Sequence, residues 1–417
     1  MFLHVGSPKT GTTFLQGVLW SQRKLAAEQG LLLPLDRFFD HYLASLDVRE
    51  LAGRKQHSER AVGAWDRIVR AARAWSGTVL ISHELFASAT KEQAARAVAS
   101  FGEDTEVHVV VTARDLVRQI PAEWQEHVKH RSTKTLPRFV DDLRRDSSGS
   151  SWFWQVQDVA DVVDRWGSTL PPAQVHVVTV PPAGADPGTL WVRFATLLGL
   201  DPGSFDTQAS RANTSLGVEQ TELLRRVNGA LGDRVPLPGP YPRVVKDQLA
   251  HRILAARPGS RLTLDLPTTE FALQRSREIV ERLTSMGVDI VGDVEELVPE
   301  PHAARAMATE SFVIPSDEVL LSESVAAMAG LLDAMANRGA QRRYEELVRD
   351  LKRAPLRFAL IQASERRPLL RKARNAYRRR TLITERLRKP LGRRQMSAPS
   401  SSSRASSPSG SRPDASS

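Results

Sequence analysis

MFLHVGSPKTGTTFLQ (residues 1–16) opens with Phe2, Leu3 and Val5, an apolar run of the kind that forms a buried parallel strand. Gly6 to Thr13 are small, glycine-containing and hydroxyl-rich and do not continue it. From Phe14 the apolar positions Phe14, Leu15, Val18, Leu19 and Leu25 recur at helical spacing. The predicted element is strand, tight loop, helix, with the loop at the helix N-terminus. Such a terminus offers unpaired backbone N–H groups and partial positive charge, so it suits an anion. Gly6 and Gly11 have the G-x-x-x-x-G spacing of a Walker A loop, but the lysine sits inside the loop as Lys9. In a Walker site the hydroxyl after the lysine holds magnesium. Here Thr12 and Thr13 are available to the anion itself.

The rest of the composition bounds the answer. A chain of 417 residues has room for one large α/β domain with an appendage, or for two domains. The absence of cysteine excludes disulfides, thiolate catalysis and cysteine-ligated metals. No apolar run approaches the ~18 residues of a membrane span. The N-terminus carries no basic region followed by an apolar core. The expected location is therefore cytoplasmic. The net charge of +10 is concentrated late in the chain, with 19 Lys/Arg against 5 Asp/Glu between Gln341 and Met396, so residues 1–340 are net acidic.

Further along, Thr78 to Ile81 reads as a strand with Ser82-His83-Glu84 at its end. Ligands of open parallel sheets bind beyond the carboxyl ends of strands, which favours a functional role for His83 and Glu84. The alternative is a helix cap at Ser82 with His83 solvated. Val107 to Thr112 is a third strand, ending in Ala113-Arg114-Asp115 and followed by a helix with Leu116, Ile120, Trp124 and Val128 on one side. Arg114 and Arg118 are four apart and can grip one phosphate. Otherwise Arg118 is a solvated residue paired with Asp115 or Glu123. His127 and His130 lack a third ligand, so no metal site is expected there; they read as a solvated, basic helix end that could face an anionic cofactor or acceptor.

Residues 152–166 read as one helix with Trp152, Val156, Val163 and Trp166 packed inward. Phe153 and Trp154 fall partly off that face, either lining an acceptor pocket or packing in the core. Val175 to Val180 is a strand and Thr189 to Leu198 a helix, and this alternation is a parallel α/β sheet. Asn213-Thr214-Ser215 precede a helix, residues 236–270 read as loop, and 271–293 as an amphipathic helix and a turn. Three regions are expected: an α/β body over 1–300, a helical, arginine-rich extension over 301–395 opening with a helix capped by Ser316, and a disordered Ser/Pro-rich tail over 396–417.

The stretch GSPKTGTT (6–13) resembles the 5′-phosphosulfate-binding loop of sulfotransferases that use 3′-phosphoadenosine 5′-phosphosulfate (PAPS), and the body resembles bacterial members of that family over roughly 1–300. RDLVRQIPA (114–122) is similar to the family's 3′-phosphate-binding segment, with Ala122 where many members carry serine. That departure removes one hydrogen bond unless Arg118, Gln119 or a backbone group substitutes. The resemblance implies a P-loop-type central parallel sheet flanked by helices. It also implies transfer of a sulfuryl group from PAPS to a hydroxyl or amine of a carbohydrate, lipid or metabolite, without a metal. Pro8, Lys9, Thr10, Gly11, Thr12, Thr13, Arg114 and Arg118 would hold PAPS, and Lys9 would stabilise the developing charge. The base would be Glu84 or His83, with Glu84 favoured and the other as its support. No K-G-x-x-G-x-W element is present, and Arg211 and Asn213 are the candidates for a segment closing over the nucleotide. A nucleotide kinase and a non-catalytic nucleotide-binding adaptor are the alternatives. The basic C-terminal helices suit peripheral contact with an anionic membrane or another polyanion, or simple solvation, and no nucleic-acid motif accompanies them.

Overall fold

Six short runs pair into one sheet in a computed structural model that describes residues 1–54, 59–146, 149–208, 215–237 and 239–353, with side chains described as far as residue 337. The strands are β1 (Phe2–His4), β2 (Leu31–Leu32), β3 (Thr78–Ser82), β4 (His108–Ala113), β5 (Val175–Thr179) and β6 (Asp289–Val291). Their order is β2-β3-β1-β4-β5-β6, every pair parallel. The helices before β3 are α1 (Thr12–Ser21), α2 (Arg23–Glu28), α3 (Phe38–Val48) and α4 (Ala64–Arg73). Between β3 and β5 lie α5 (Lys91–Ala99), α6 (Leu116–Lys129), α7 (Leu136–Arg145), α8 (Trp152–Gln157) and α9 (Val159–Gly167). After β5 come α10 (Thr189–Leu197), α11 (Val218–Leu231), α12 (Leu266–Met286), α13 (Pro301–Met307) and α14 (Asp317–Arg353). The fold is α/β, a parallel sheet with helices on both faces.

Alternation along the strands builds the two helical layers. Leu3, Ile81, Val109 and Val111 face one layer with Ile120, Trp124 and Trp166. Leu80, Val110 and Val178 face the other, against Leu15, Val18, Leu19, Trp191 and Phe194 of α1 and α10. Both faces are covered, so the strands read as continuous apolar runs. Leu80 is fully buried in the middle of this second layer. Leu80→Ala is expected to cost about 2–5 kcal/mol, read as a lower urea midpoint at unchanged slope.

The topology sets where a site can form. β1 is central, with β3 on one side and β4 on the other, so the loops leaving all three strands share one edge of the sheet. The chain reverses direction across the sheet there, which opens a crevice.

Several expectations are corrected. The sheet has a sixth strand, where residues 288–293 were expected to be a turn. It is joined to its neighbours by a ladder in which His108 Nδ1 lies 2.8 Å from His176 Nε2 and His176 Nδ1 lies 2.7 Å from Asp289 Oδ2. The helix expected over 152–166 breaks at Asp158, whose carboxylate accepts from Asp161 N at 3.0 Å and starts α9. The expected loop over 236–270 contains a π-type helix, Pro242–Ile253. Ser316 does cap its helix, accepting from Val319 N at 3.4 Å. The first part of that helix, Asp317–Asn337, is 21 residues long and apolar enough to cross a membrane by length and composition, unlike any run expected from the sequence.

The chain divides into two compact units, Met1–Ala334 and Met335–Ser417. Of the second, the described part is the continuation of α14 to Arg353. Arg211 and Asn213, the arginine-rich helices expected beyond residue 353 and the Ser/Pro-rich tail lie outside the described residues.

Candidate functional site

The loop between β1 and α1 is held by its own backbone geometry and by α6. Gly11 precedes the helix at φ +88°, and a Cβ there would lie 2.5 Å from Leu190 Cδ2, so only glycine fits. Lys9 sits at the loop tip with φ +66°, a left-handed conformation unusual for a side-chain-bearing residue. Neighbours hold it there. The Pro8 carbonyl accepts from Gln119 Nε2 at 2.9 Å and Gln157 Nε2 at 3.0 Å, and the Lys9 carbonyl accepts from Arg114 Nη1 at 3.2 Å. Thr10 turns inward: its hydroxyl donates to the Ser7 carbonyl at 2.5 Å and lies 2.6 Å from Thr112 Oγ1. Pro8, Lys9, Gly11, Thr12 and Thr13 face a cavity of about 1260 Å3, and Thr10 does not.

His83 and Glu84 leave the end of β3 into the same cavity. His83 is the cap of the short 3₁₀ turn Glu84–Ser88, its Nδ1 accepting from Leu85 N at 3.1 Å. The cap is therefore His83 and not Ser82. Burial lowers the His83 pKa, opposed by Glu84 and reinforced by Arg49, so the ring is neutral near pH 7. With Nδ1 occupied as an acceptor, the ring hydrogen resides on Nε2. Glu84 Oε2 is buried without a hydrogen-bond partner.

Arg114 and Arg118 leave the end of β4. The Arg114 guanidinium is buried enough, with Arg118 beside it, that its pKa falls to about 10, and its Nε has no partner. Arg118 is committed to the fold: it pairs with Asp115 and donates to the carbonyls of Pro181 at 2.8 Å and Val180 at 3.3 Å. Both arginines line a second cavity of about 390 Å3, which shares Arg114, Ala122, Gln125 and Ser215 with the first. Ala122 offers no hydroxyl, and the amide of Gln119 is engaged with Pro8 and Gln157, so neither Gln119 nor Arg118 fills the place of the absent serine.

Two further guanidinium groups reach this smaller cavity from the stretch expected to be loop. Arg257-Pro-Gly-Ser-Arg261 is strapped to the start of α11, with Val218 N donating to the Ser260 carbonyl at 3.0 Å and Ser260 N to Glu219 at 2.8 Å. Arg257, tied to Glu323 at 2.7 Å, and Arg261 both line the cavity with Arg114 and Arg118. The two arginines four apart in a Gly-containing loop were the available signal. Their meeting with Arg114 and Arg118 was not, because it depends on the fold.

The far wall of the large cavity is α6. Glu126 takes Lys9 at 2.6 Å, Lys246 at 2.7 Å and His130 at 3.1 Å, with Lys129 at 3.8 Å. Burial works to raise its pKa, but the His130 contact and the three lysines hold the carboxyl well below its usual range. Glu123, one turn earlier, is pushed up to about 7, mainly by burial, with Lys9 opposing. Trp152 lines the cavity and not the inward face expected for it, while Phe153 and Trp154 are buried in the core, the second of the two readings the sequence offers for them. The break at Asp158 separates α8 from the α9 face and frees Trp152 from the expected inward stripe.

Among the described residues no group of three His, Cys, Asp or Glu is arranged to hold a metal ion. No protein-family model and no curated protein matches the chain. Among solved structures, the chain is similar to a sulfotransferase from Alicyclobacillus acidocaldarius, at 14% identity with a TM-score of 0.41, over 69% of this chain and 94% of that one.

Proposed function

We propose that this protein transfers a sulfuryl group from PAPS to an acceptor hydroxyl. One observation carries the reading: the ends of three adjacent strands, bearing Lys9, Glu84 and Arg114, open onto one cavity. The donor set fits the anionic ends of PAPS. The glycine-cradled loop, with the backbone N–H groups of the first turn of α1 and the hydroxyls of Thr12 and Thr13, suits the 5′-phosphosulfate. Arg114 and Arg261 around the smaller cavity suit the 3′-phosphate, with Arg118, held in place by Asp115, on its rim and Arg261 standing in for the donor lost at Ala122. The orphaned Arg114 Nε and Ser7 Oγ are buried polar groups awaiting a partner beside the loop.

Bound PAPS supplies an electrophilic sulfur and a phosphate leaving group. Glu84, whose buried oxygen lacks a partner, takes the acceptor's proton, so that the acceptor oxygen bonds sulfur as the bond from sulfur to the phosphate oxygen breaks. Lys9 meets the charge that builds on the sulfuryl and leaving oxygens. His83, with its hydrogen on Nε2, orients the site and is not the base.

Calorimetric titration with adenosine 3′,5′-bisphosphate, beside magnesium-ATP, tests this. Bisphosphate binding is expected, weakened about 10- to 100-fold in Arg114→Ala by the loss of charge-assisted hydrogen bonds. Binding of magnesium-ATP in its place would make the protein a kinase. Binding of neither would leave an adaptor.

A further inference from the structure

The charge on the far wall of the large cavity exceeds what the donor loop needs. Glu126 is one carboxylate among three ammonium groups, and its two oxygens divide them. Oε2 faces Lys9 and Lys129, on the side of the loop; Oε1 faces Lys246 and His130. Lys246 also touches His130 directly. Against Glu126 alone the three ammonium groups leave two positive charges, and Glu123, one turn earlier and pushed up to about 7, offsets at most one of them. Lys129 is 4% exposed and lies 3.8 Å from the Glu126 carboxylate, too long for a hydrogen bond. Burial, with Lys9 and Lys246 as neighbours, brings it down to about 8. His251 lies on the same wall, and after burial the same three lysines lower its pKa. A cluster of cations this poor in counterions, with Lys129 shielded from water at its base, attracts an anion.

The cavity also has an aromatic part. Trp152 and Tyr42 line it, with Arg49 over the Trp152 ring at 5.5 Å and Tyr42 at 5.5 Å from the His83 ring. Such faces pack against the apolar faces of sugar rings. At about 1260 Å3 the cavity is larger than a single small ligand requires.

Resting on the proposed sulfuryl transfer, we infer that the acceptor is an acidic oligosaccharide, with an anionic group seated at Lys246, His130 and His251 while a hydroxyl of a neighbouring position meets Glu84. Arg131, also on this wall, is turned to the Gly232 carbonyl and Asp233 and adds little net charge.

The experiment is calorimetry on the full chain saturated with adenosine 3′,5′-bisphosphate. The probes are tetragalacturonate, a heparin-derived sulfated tetrasaccharide and neutral maltotetraose. At least one acidic probe is expected to bind at least tenfold tighter than maltotetraose and to weaken as salt is raised. Lys246→Ala and His251→Ala are each expected to weaken that acidic probe tenfold or more, with bisphosphate affinity within threefold of the parent in both. Equal binding of neutral and acidic probes, no binding of any, or no effect of either substitution overturns the inference while bisphosphate binding stands. Acidic-probe binding without any bisphosphate binding would instead preserve the anion site and overturn the proposed transfer.

Discussion

Lys9→Met is expected to lower kcat by about 10²- to 10³-fold, the scale on which a single donor aimed at developing charge contributes. Binding of adenosine 3′,5′-bisphosphate should change by less than tenfold, because Arg114, Arg118 and the loop N–H groups remain. The expectation follows from how the loop is fixed. Gln119 and Gln157 hold the Pro8 carbonyl and Arg114 holds that of Lys9, so the backbone under the ammonium is positioned before any ligand arrives. Removing the ammonium leaves Glu126 with Lys246, His130 and Lys129, so the carboxylate is not stranded. Lys9→Gly separates chemistry from backbone strain. It should be as inactive as Lys9→Met, yet gain up to about 1 kcal/mol of stability, since glycine adopts φ +66° without the Cβ penalty. Steady-state kinetics and urea unfolding read the two effects apart. A Lys9→Met enzyme keeping more than a tenth of its kcat would show that this ammonium does not face the reacting group.

Why the three motifs lie together was visible in the sequence only once the strands were. β1, β3 and β4 are apolar runs bounded by turn residues, and each ends in a polar group that breaks the run: the glycine loop, His83-Glu84 and Arg114-Asp115. In a parallel sheet such breaks share one edge, so the convergence of Lys9, Glu84 and Arg114 was legible from local patterns. The unread parts depend on distant partners. β6 is three residues at an exposed edge, and Asp289 identifies itself through His176, 113 positions away. Glu126 looks like a solvated acid beside basic neighbours until the π-type helix brings Lys246 to it across 120 positions. Arg261 belongs to the site because the start of α11 anchors Ser260. Trp152 departs from its expected inward face for a local reason: a capping Asp158 inside an apolar stripe interrupts the helical period.

Glu84→Gln is expected to lower kcat by about 10²- to 10⁴-fold, the range for loss of a positioned general base. The substitution keeps size and polarity at a half-buried site and removes only the proton acceptor. His83→Asn is the matched comparison. Asparagine can still cap the turn by accepting from Leu85 N, as His83 Nδ1 does at 3.1 Å, so the fold at the end of β3 is kept. With the ring hydrogen on Nε2, the parent His83 has no lone pair free to take a proton, so His83→Asn should stay within about tenfold of the parent kcat, less than the loss of a base. Steady-state kinetics decide between them. If His83→Asn abolishes activity while Glu84→Gln stays within about tenfold of the parent kcat, the histidine is the base, and its Nδ1 bond to the turn must break when the acceptor binds.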